Sequence, residues 1–163
     1  MVSCVFPGSF DPVTKGHLDL ISRASAMFDH VTVTVMVNIR KKNAVLLEDR
    51  ISLLRKACSS CPNVTVDSWD GLLSEYMKLR NEHIVIRGVR SGEELEQELG
   101  SASANRMLND QVETIFIPSD PGLRGISSST VREIAAFGGD ISAFVPETVT
   151  KEIMTLLSKE NKE

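Results

Sequence analysis

"GSFDPVTKGHLDLI", residues 8–21, decides the fold of this chain, because it joins an apolar run to a helix through a short polar loop. The run before it, "SCVF" at 3–6, is typical of a buried strand. The apolar residues after the loop recur at helical spacing and predict one buried helix face, formed by Leu20, Ala24, Met27 and Phe28. The chain therefore opens with a strand, a loop and a helix.

The same cycle repeats along the chain. Further strands are predicted from apolar and β-branched runs at 30–37, 63–67, 83–88 and 112–118. Helices are predicted at about 47–58, 72–81 and 93–108, from the serines at 127–129 to the glycines at 138–139, and at 149–157. Strands that alternate with helices favour a doubly wound α/β fold, with a five-stranded parallel sheet and helices on both faces. Such sheets bind ligands beyond the carboxyl ends of their strands.

Length and composition exclude several classes of protein. A chain of 163 residues with 42% hydrophobic residues is expected to form one domain, 1–163, with about 159–163 as a frayed tail. The net charge of −4 argues against a nucleic-acid partner. No run approaches the roughly 20 apolar residues of a membrane span, and no secretory signal is evident, so we expect a cytoplasmic protein without membrane contact.

The cysteines are few and do not predict a metal or redox site. Cys58 and Cys61 have the C-x-x-C spacing, but no second pair of cysteines or histidines could complete a zinc site. The motif is expected to close a helix just before Pro62, whereas a thioredoxin-like motif opens one. We therefore interpret these thiols as neighbours at a helix end.

The loop at 8–21 has the composition of an anion-binding helix start. Gly8 allows backbone shapes that other residues cannot reach, and Gly16 removes a side chain from the beginning of the helix. Free N–H groups and the helix dipole attract phosphate there, and His17 in the first turn could donate a hydrogen bond to it. The alternative is that Asp11 and Thr14 only cap the helix and that the histidine is a surface residue.

Three further polar clusters follow predicted strands. "IRKK" at 39–42 contains Lys41, and "RGVR" at 87–90 places Arg87 and Arg90 on either side of Gly88. Guanidinium groups suit phosphate, and a glycine lets backbone approach a ligand closely. "ISSS" at 126–129 offers hydroxyls and free N–H groups at another helix start. Because these loops lie at one edge of the predicted sheet, they are expected to form one phosphate-binding site.

The chain resembles the nucleotidyltransferase superfamily, in which "GSFDPVTKGH" matches the T-x-G-H signature and "ISSST" the second signature. In order, spacing and length, "PGSFDPVTKGHLDLISRASAMFDHV", "IRKK", "VIRGVRS" and "ISSSTVREI" resemble the bacterial phosphopantetheine adenylyltransferase family along nearly the whole chain. The resemblance implies a Rossmann-like nucleotidyltransferase fold. It also implies adenylyl transfer from ATP to 4′-phosphopantetheine, giving dephospho-coenzyme A and pyrophosphate, the penultimate step of coenzyme A synthesis.

The same resemblance implies cofactor, assembly and regulation. Mg²⁺ is expected to arrive with ATP, and no protein side chain is expected to bind a metal. A homohexamer, formed as a dimer of trimers, is expected, as is feedback inhibition by coenzyme A.

The resemblance also implies roles for single residues. His17, which binds the α-phosphate and stabilises the transition state, is expected to be catalytic together with Lys41 and Arg90. The acceptor substrate is expected to contact Ser9, Lys41, Leu73 and Arg87. ATP is expected to contact Ser9, Phe10, His17, Gly88, Val89, Arg90, Glu98, Leu123, Arg124, Gly125, Ile126, Ser127, Ser128 and Ser129.

Two segments depart from the family pattern. "LRGISSS" lacks an aromatic residue that the family commonly has two or three places before its serines, and "SGEELEQE" lacks another after the second arginine. We therefore expect adenine to pack differently here, while the phosphate-handling residues are intact. Three other interpretations stay open: the same chemistry on another phosphorylated acceptor such as nicotinamide mononucleotide, a sensor that binds ATP without turnover, and a structural α/β domain.

Overall fold

The structure is a computed structural model that describes residues 1–37 and 42–160. The strands are β1 (Ser3–Gly8), β2 (His30–Met36), β3 (Val64–Trp69), β4 (Ile84–Val89) and β5 (Glu113–Pro118). The helices are α1 (Lys15–Met27), α2 (Leu47–Ala57), α3 (Leu73–Arg80), α4 (Gly92–Leu108), α5 (Ser128–Ala136) and α6 (Thr150–Glu160). Two short 3₁₀ turns lie at Pro121–Leu123 and Glu147–Val149.

The five strands form one sheet, in the order β3-β2-β1-β4-β5, and every paired neighbour is parallel. The predicted doubly wound α/β fold is therefore confirmed. From β1 the chain winds outward to β3, then crosses back to β4 on the other side of β1. The strand order thus reverses between β1 and β4, which is where such sheets bind ligands.

Strand β1 is longer than its apolar run predicts. Pro7 and Gly8 continue the strand and pair with Thr34 and Val35 of β2. On its other side, the described part of β1 is in register with β4 at the single pair of Val5 and Val85. The missing N–H of Pro7 costs little stability on the side that faces β4, because no described residue of β4 is paired with it there. The two central strands therefore separate toward their carboxyl ends and leave a cleft.

The core lies on both faces of the sheet. One face packs mainly against α1, α2, α5 and α6, and the other carries a smaller cluster around Tyr76 and Met77 of α3. The predicted face of α1 is buried at Leu20 and Ala24, but Met27 is 58% exposed because the helix ends there. Helix α6 continues to Glu160, into the predicted tail, and 161–163 lie outside the described residues.

Candidate active site

A cavity of about 510 Å³ opens at the carboxyl ends of β1 and β4. Its walls are the loop after β1, the first turn of α1, the end of β4, and the first turns of α4 and α5. The cleft between the separating strands is therefore where four of the predicted loops and helix starts converge.

The loop after β1 is shaped by a buried aromatic ring. Phe10 has a positive φ of 47° and is only 2% exposed. Its ring packs edge-on against Phe6 and His17, with centroid distances of 5.8 and 5.0 Å. A Cβ atom at Gly8 would lie 3.0 Å from that ring, whereas Gly8 itself has no positive φ. The prediction that Gly8 supplies an unusual backbone shape is wrong, because this glycine makes room for the ring.

His17 is held by the cap of its own helix. Thr14 is the N-cap of α1: its Oγ1 accepts the His17 N–H at 3.3 Å, and its N–H donates to His17 Nδ1 at 3.0 Å. Because Nδ1 accepts this bond, the proton of the neutral imidazole lies on Nε2. Burial, followed by the nearby positive charges of Arg90 and Arg87, lowers the pKa of His17 to about 4. His17 is thus a neutral donor near pH 7.

Two arginines, Arg87 of β4 and Arg90 just after the strand, enter the cavity already paired with carboxylates of α4. Arg87 donates from Nε and Nη2 to both oxygens of Glu98, at 2.7 and 2.6 Å. Arg90 forms a similar pair with Glu94, at 2.7 Å from Nη2 to Oε1. The pair with Arg90 lowers the pKa of Glu94 well below its usual range. Both guanidinium groups therefore lie in the cleft with their charge balanced.

Four side chains from other elements hold the backbone of the loop. Arg87 donates to the carbonyl of Pro7 at 2.8 Å, Arg50 to Ser9 at 2.8 Å, Arg132 to Asp11 at 2.5 Å and Ser128 to Pro12 at 2.7 Å. Because a peptide group is planar, fixing the Ser9 carbonyl also fixes the direction of the next N–H, that of Phe10. The loop is therefore organised before any ligand binds.

The carboxylate of Asp11 connects this loop to the chain beyond β2. Its two oxygens accept the backbone N–H groups of Ala44 and Val45, at 3.0 and 2.8 Å. Thr14 caps α1 as the alternative interpretation expected, but Asp11 does not, because its oxygens are used by these two amides. The segment that follows the basic cluster at 39–42 is thus held to the loop after β1 by the Asp11 carboxylate.

Comparison with known proteins places this geometry in a family. The model of the cytidylyltransferase-like family matches residues 5–134. A phosphopantetheine adenylyltransferase of Clostridium perfringens is 42% identical over 154 residues, which are 94% of each chain. One of Caldanaerobacter subterraneus subsp. tengcongensis is 44% identical over 155 residues, 95% of this chain and 97% of its own. The chain belongs to the phosphopantetheine adenylyltransferase family.

Members of this family are nucleotidyltransferases. A solved structure has the same fold as this chain. It is a Vibrio parahaemolyticus protein provisionally assigned as a nicotinate-nucleotide adenylyltransferase, with a TM-score of 0.69 over 100% of this chain and 98% of its own. Its sequence identity is 17%, so the match supports the fold alone.

Most residues that the family resemblance implies come together in the cavity. Its lining includes Ser9, Phe10, His17, Arg87, Gly88, Arg90, Glu98, Leu123, Ile126, Ser127, Ser128 and Ser129. Leu73 lines a second cavity of about 250 Å³, which shares Ser9, Arg87 and Glu98 with the first. Val89, Arg124 and Gly125 are not among the residues that line either cavity. Lys41 lies outside the described residues, and its neighbour Lys42 lines the main cavity.

Gly88 has a packing role that the sequence did not indicate. A Cβ atom there would lie 2.1 Å from Cδ1 of Leu20 on α1. The glycine lines the cavity, but its missing side chain is required first by the close approach of α1 to β4.

The structure adds site residues that sequence reasoning missed. Arg132 and Glu94 line the cavity, and Arg50 lies beneath it, 2% exposed, with no hydrogen-bond partner for its Nε among the described residues. A signal for Arg50 was present, since it falls three residues after Leu47 and four before Leu54, on the apolar face of α2. A charged side chain on the apolar face of a helix is expected to be buried with a hydrogen-bond partner.

The cysteines lie outside both cavities. Cys58 caps the end of α2, and the N–H of Cys61 donates to its carbonyl at 2.9 Å, so the motif closes a helix as predicted. Burial, followed by the nearby Cys61, raises the pKa of Cys58 to about 12. A thiol with so high a pKa is a poor nucleophile.

Within residues 1–37 and 42–160, no group of three or more histidine, cysteine, aspartate or glutamate side chains could hold a metal ion. In the same part of the chain, no helix is long and apolar enough to cross a membrane.

Proposed function

We propose that this chain transfers the adenylyl group of ATP to 4′-phosphopantetheine, giving dephospho-coenzyme A and pyrophosphate. The observation that carries the proposal is the convergence of a neutral His17 at a helix start with Arg87 and Arg90, in one cavity of a chain of this family. The cavity joins a second, smaller one, so two phosphorylated substrates have adjoining sites.

The reaction needs alignment more than proton transfer. An oxygen of the acceptor phosphate attacks the α-phosphorus of ATP, the bond to the bridging oxygen breaks, and its electron pair leaves with pyrophosphate. The second pKa of a phosphomonoester is about 6, so the nucleophile is already ionised near neutral pH. What remains is to hold two repelling anions in line and to stabilise charge on the α-phosphate.

The residues divide this work between them. His17 donates from Nε2 to an oxygen of the α-phosphate and, with the N–H groups at the start of α1, stabilises the charge that develops there. Lys41 and Arg87 bind the acceptor phosphate, while Arg90 and the serines at the start of α5 bind the outer phosphates of ATP. Ser9, between the two cavities, contacts both substrates.

The second cavity suits the pantetheine arm. It is about 250 Å³ in volume and runs along Leu73 of α3 and one side of α4. Its lining mixes apolar side chains with Asn105 and Thr114, which matches a chain of methylene and amide groups. Glu98, at the wall between the cavities, faces the adenosine side once ATP is bound.

We also propose the cofactor, assembly and location that the family resemblance implies. Mg²⁺ enters as the magnesium complex of ATP and neutralises part of its phosphate charge. The active form is a cytoplasmic homohexamer, a dimer of trimers, and coenzyme A inhibits it by feedback.

An assay with Mg²⁺·ATP and 4′-phosphopantetheine, run with wild type and His17→Ala, tests the function. Loss of one aligned donor should raise the barrier by roughly 3 to 4 kcal/mol, a fall in single-turnover rate of about 10²- to 10³-fold. His83→Ala, an exposed histidine at the entry to β4, is the matched control.

Three outcomes would contradict the proposal. Pyrophosphate release with nicotinamide mononucleotide but not with 4′-phosphopantetheine would change the acceptor. ATP binding without pyrophosphate release with any acceptor would make the protein a sensor. An unchanged single-turnover rate in His17→Ala would remove the histidine from the mechanism.

A further inference from the structure

The pair between Arg90 and Glu94 occupies the edge of the guanidinium that best suits phosphate. Arg90 Nη2 lies 2.7 Å from Oε1 of Glu94, and Nε lies 3.2 Å from both carboxylate oxygens. The backbone N–H of Arg90 also donates to Oε2 at 2.6 Å. Nε and Nη2 form the planar fork with which arginine binds carboxylate or phosphate in two parallel bonds. The Glu94 carboxylate therefore accepts hydrogen bonds from both the fork and the backbone N–H of Arg90.

The other edge of the Arg90 guanidinium makes one long hydrogen bond. Its Nη1 donates to the carbonyl of Ile126 at 3.3 Å, at the cavity wall before α5. Both side chains line that cavity, so a phosphate that binds the fork from the cavity needs the donors that Glu94 already occupies. Two anions cannot share the same two donors, so the carboxylate must leave before the phosphate binds there.

We propose that Glu94 weakens anion binding at this site, because it occupies the phosphate-binding fork of Arg90 until the phosphates of the substrate displace it. This inference rests on the proposed function for the assignment of Arg90 to phosphate. The displacement costs every anion the same free energy. The affinity of every anion therefore falls by the same factor, so an anion that contacts little else occupies the site least, whereas ATP is also held by its adenosine and α-phosphate contacts and still binds.

The position of Glu94 makes the displacement feasible. Its side chain is 26% exposed and that of Arg90 is 40% exposed, so water can solvate the carboxylate when it leaves. Helix α4 contributes no fully buried residue, so a rotamer change at its first turn disturbs no core packing. Glu98 makes the equivalent pair with Arg87 one helical turn further along. The arrangement thus recurs at Arg87 of β4 and at Arg90 just after it.

The test measures the binding of inorganic pyrophosphate and of sulfate by titration calorimetry, without any acceptor substrate. Glu94→Gln should bind pyrophosphate about fivefold more tightly than wild type, since a partly exposed ion pair of this kind contributes up to roughly 1 kcal/mol. Glu93→Gln is the matched control, because this neighbouring glutamate is exposed and makes no ion pair within the described residues. It should bind pyrophosphate as wild type does.

A double-mutant cycle separates displacement from a general change of charge. In an Arg90→Gln background, the Glu94→Gln substitution should raise pyrophosphate affinity much less than it does in wild type, because no fork remains and only the backbone N–H at position 90 is freed. An equal gain in that background, a gain as large in Glu93→Gln, or weaker binding in Glu94→Gln would each overturn the inference. These assays use no 4′-phosphopantetheine, so failure of the proposed reaction would be seen separately.

Discussion

His17 owes its chemistry to the environment of a single ring. The N-cap amide of Thr14 fixes the tautomer, and burial with two neighbouring arginines removes the imidazolium form at neutral pH. A charged histidine would bind phosphate more strongly in the ground state as well as in the transition state. A neutral donor that is already aligned contributes selectively as charge develops, and such differential binding raises the rate.

The depressed pKa of His17 predicts a dependence of stability on pH. The imidazole has a pKa of about 4 in the folded protein and of about 6.5 when unfolded, so between these values the unfolded state binds more protons. The contribution of the neutral His17 ring to the free energy of unfolding is fully present above about pH 6.5 and is lost as the pH falls toward 4. We expect wild type to lose about 2 kcal/mol more than His17→Gln in free energy of unfolding between about pH 7 and 5.

Urea unfolding at the two pH values measures this difference, and the comparison between variants removes the contribution of the carboxylates. His83→Gln, an exposed histidine, should retain the wild-type dependence. Equal pH dependence in wild type and His17→Gln would mean that burial does not suppress the charged ring.

Single site residues could be predicted from the sequence where they follow a strand directly. Arg87 and Arg90 did so, because parallel strands bring the residues at their carboxyl ends to one edge. Arg50 could not be assigned a role, because its partner is the carbonyl of Ser9, 41 residues away, and a backbone acceptor leaves no mark in the sequence. The pairs with Glu94 and Glu98 were missed because side-chain direction on α4 depends on how that helix lies against β4.

At the scale of elements, the contact between α1 and β4 positions the catalytic residues relative to one another. Helix α1 carries His17, and β4 leads into Arg90. The two elements meet where Leu20 packs over Gly88. The sequence predicted both elements and the glycine, but their separation is set by side chains that interlock only in three dimensions.

Gly88→Ala should disturb this contact. The new Cβ would lie 2.1 Å from Cδ1 of Leu20, which is 6% exposed and has little room to rotate. We expect a loss of about 1–3 kcal/mol in free energy of unfolding, the usual cost of overpacking. Denaturant unfolding and the adenylyl transfer rate measure the effects on packing and on the site.

Leu20→Ala provides the matched test, since it removes the atoms that clash. The double variant should be more stable than the sum of the two single losses predicts, because residues in contact couple. Additive losses, or a stable Gly88→Ala, would show that the helix and strand do not require this close approach.

At the scale of the whole molecule, the order of the strands determines where the site forms. The alternation of strands and helices predicted a parallel sheet, but not that β1 would lie between β2 and β4. That order comes from which apolar faces pack most completely, a property of the assembled core rather than of any segment. The cleft lies beyond the pair of Val5 and Val85, where β1 continues through Pro7, which the sequence had suggested to be a strand end.

One helix remains without a complete packing partner. Helix α4 is 17 residues long and has no buried residue. Its Leu99 and Leu108 are 44% and 62% exposed, and Ile115 on the edge strand β5 is 40% exposed. Exposed apolar side chains on a long helix beside an open sheet edge are typical of a surface that binds another protein surface.

The proposed hexamer predicts that another copy of the chain covers this surface. Wild type should have a mass in solution of six times 17.9 kDa. Leu108→Asp should yield smaller species, because an aspartate at a closed apolar interface must be desolvated without a partner. Phe137→Asp at the end of α5, where the ring is 88% exposed, is the control and should keep the wild-type mass. Light scattering at micromolar concentration decides between the outcomes: a monomeric wild type would refute the hexamer, and a hexameric Leu108→Asp would place the interface elsewhere.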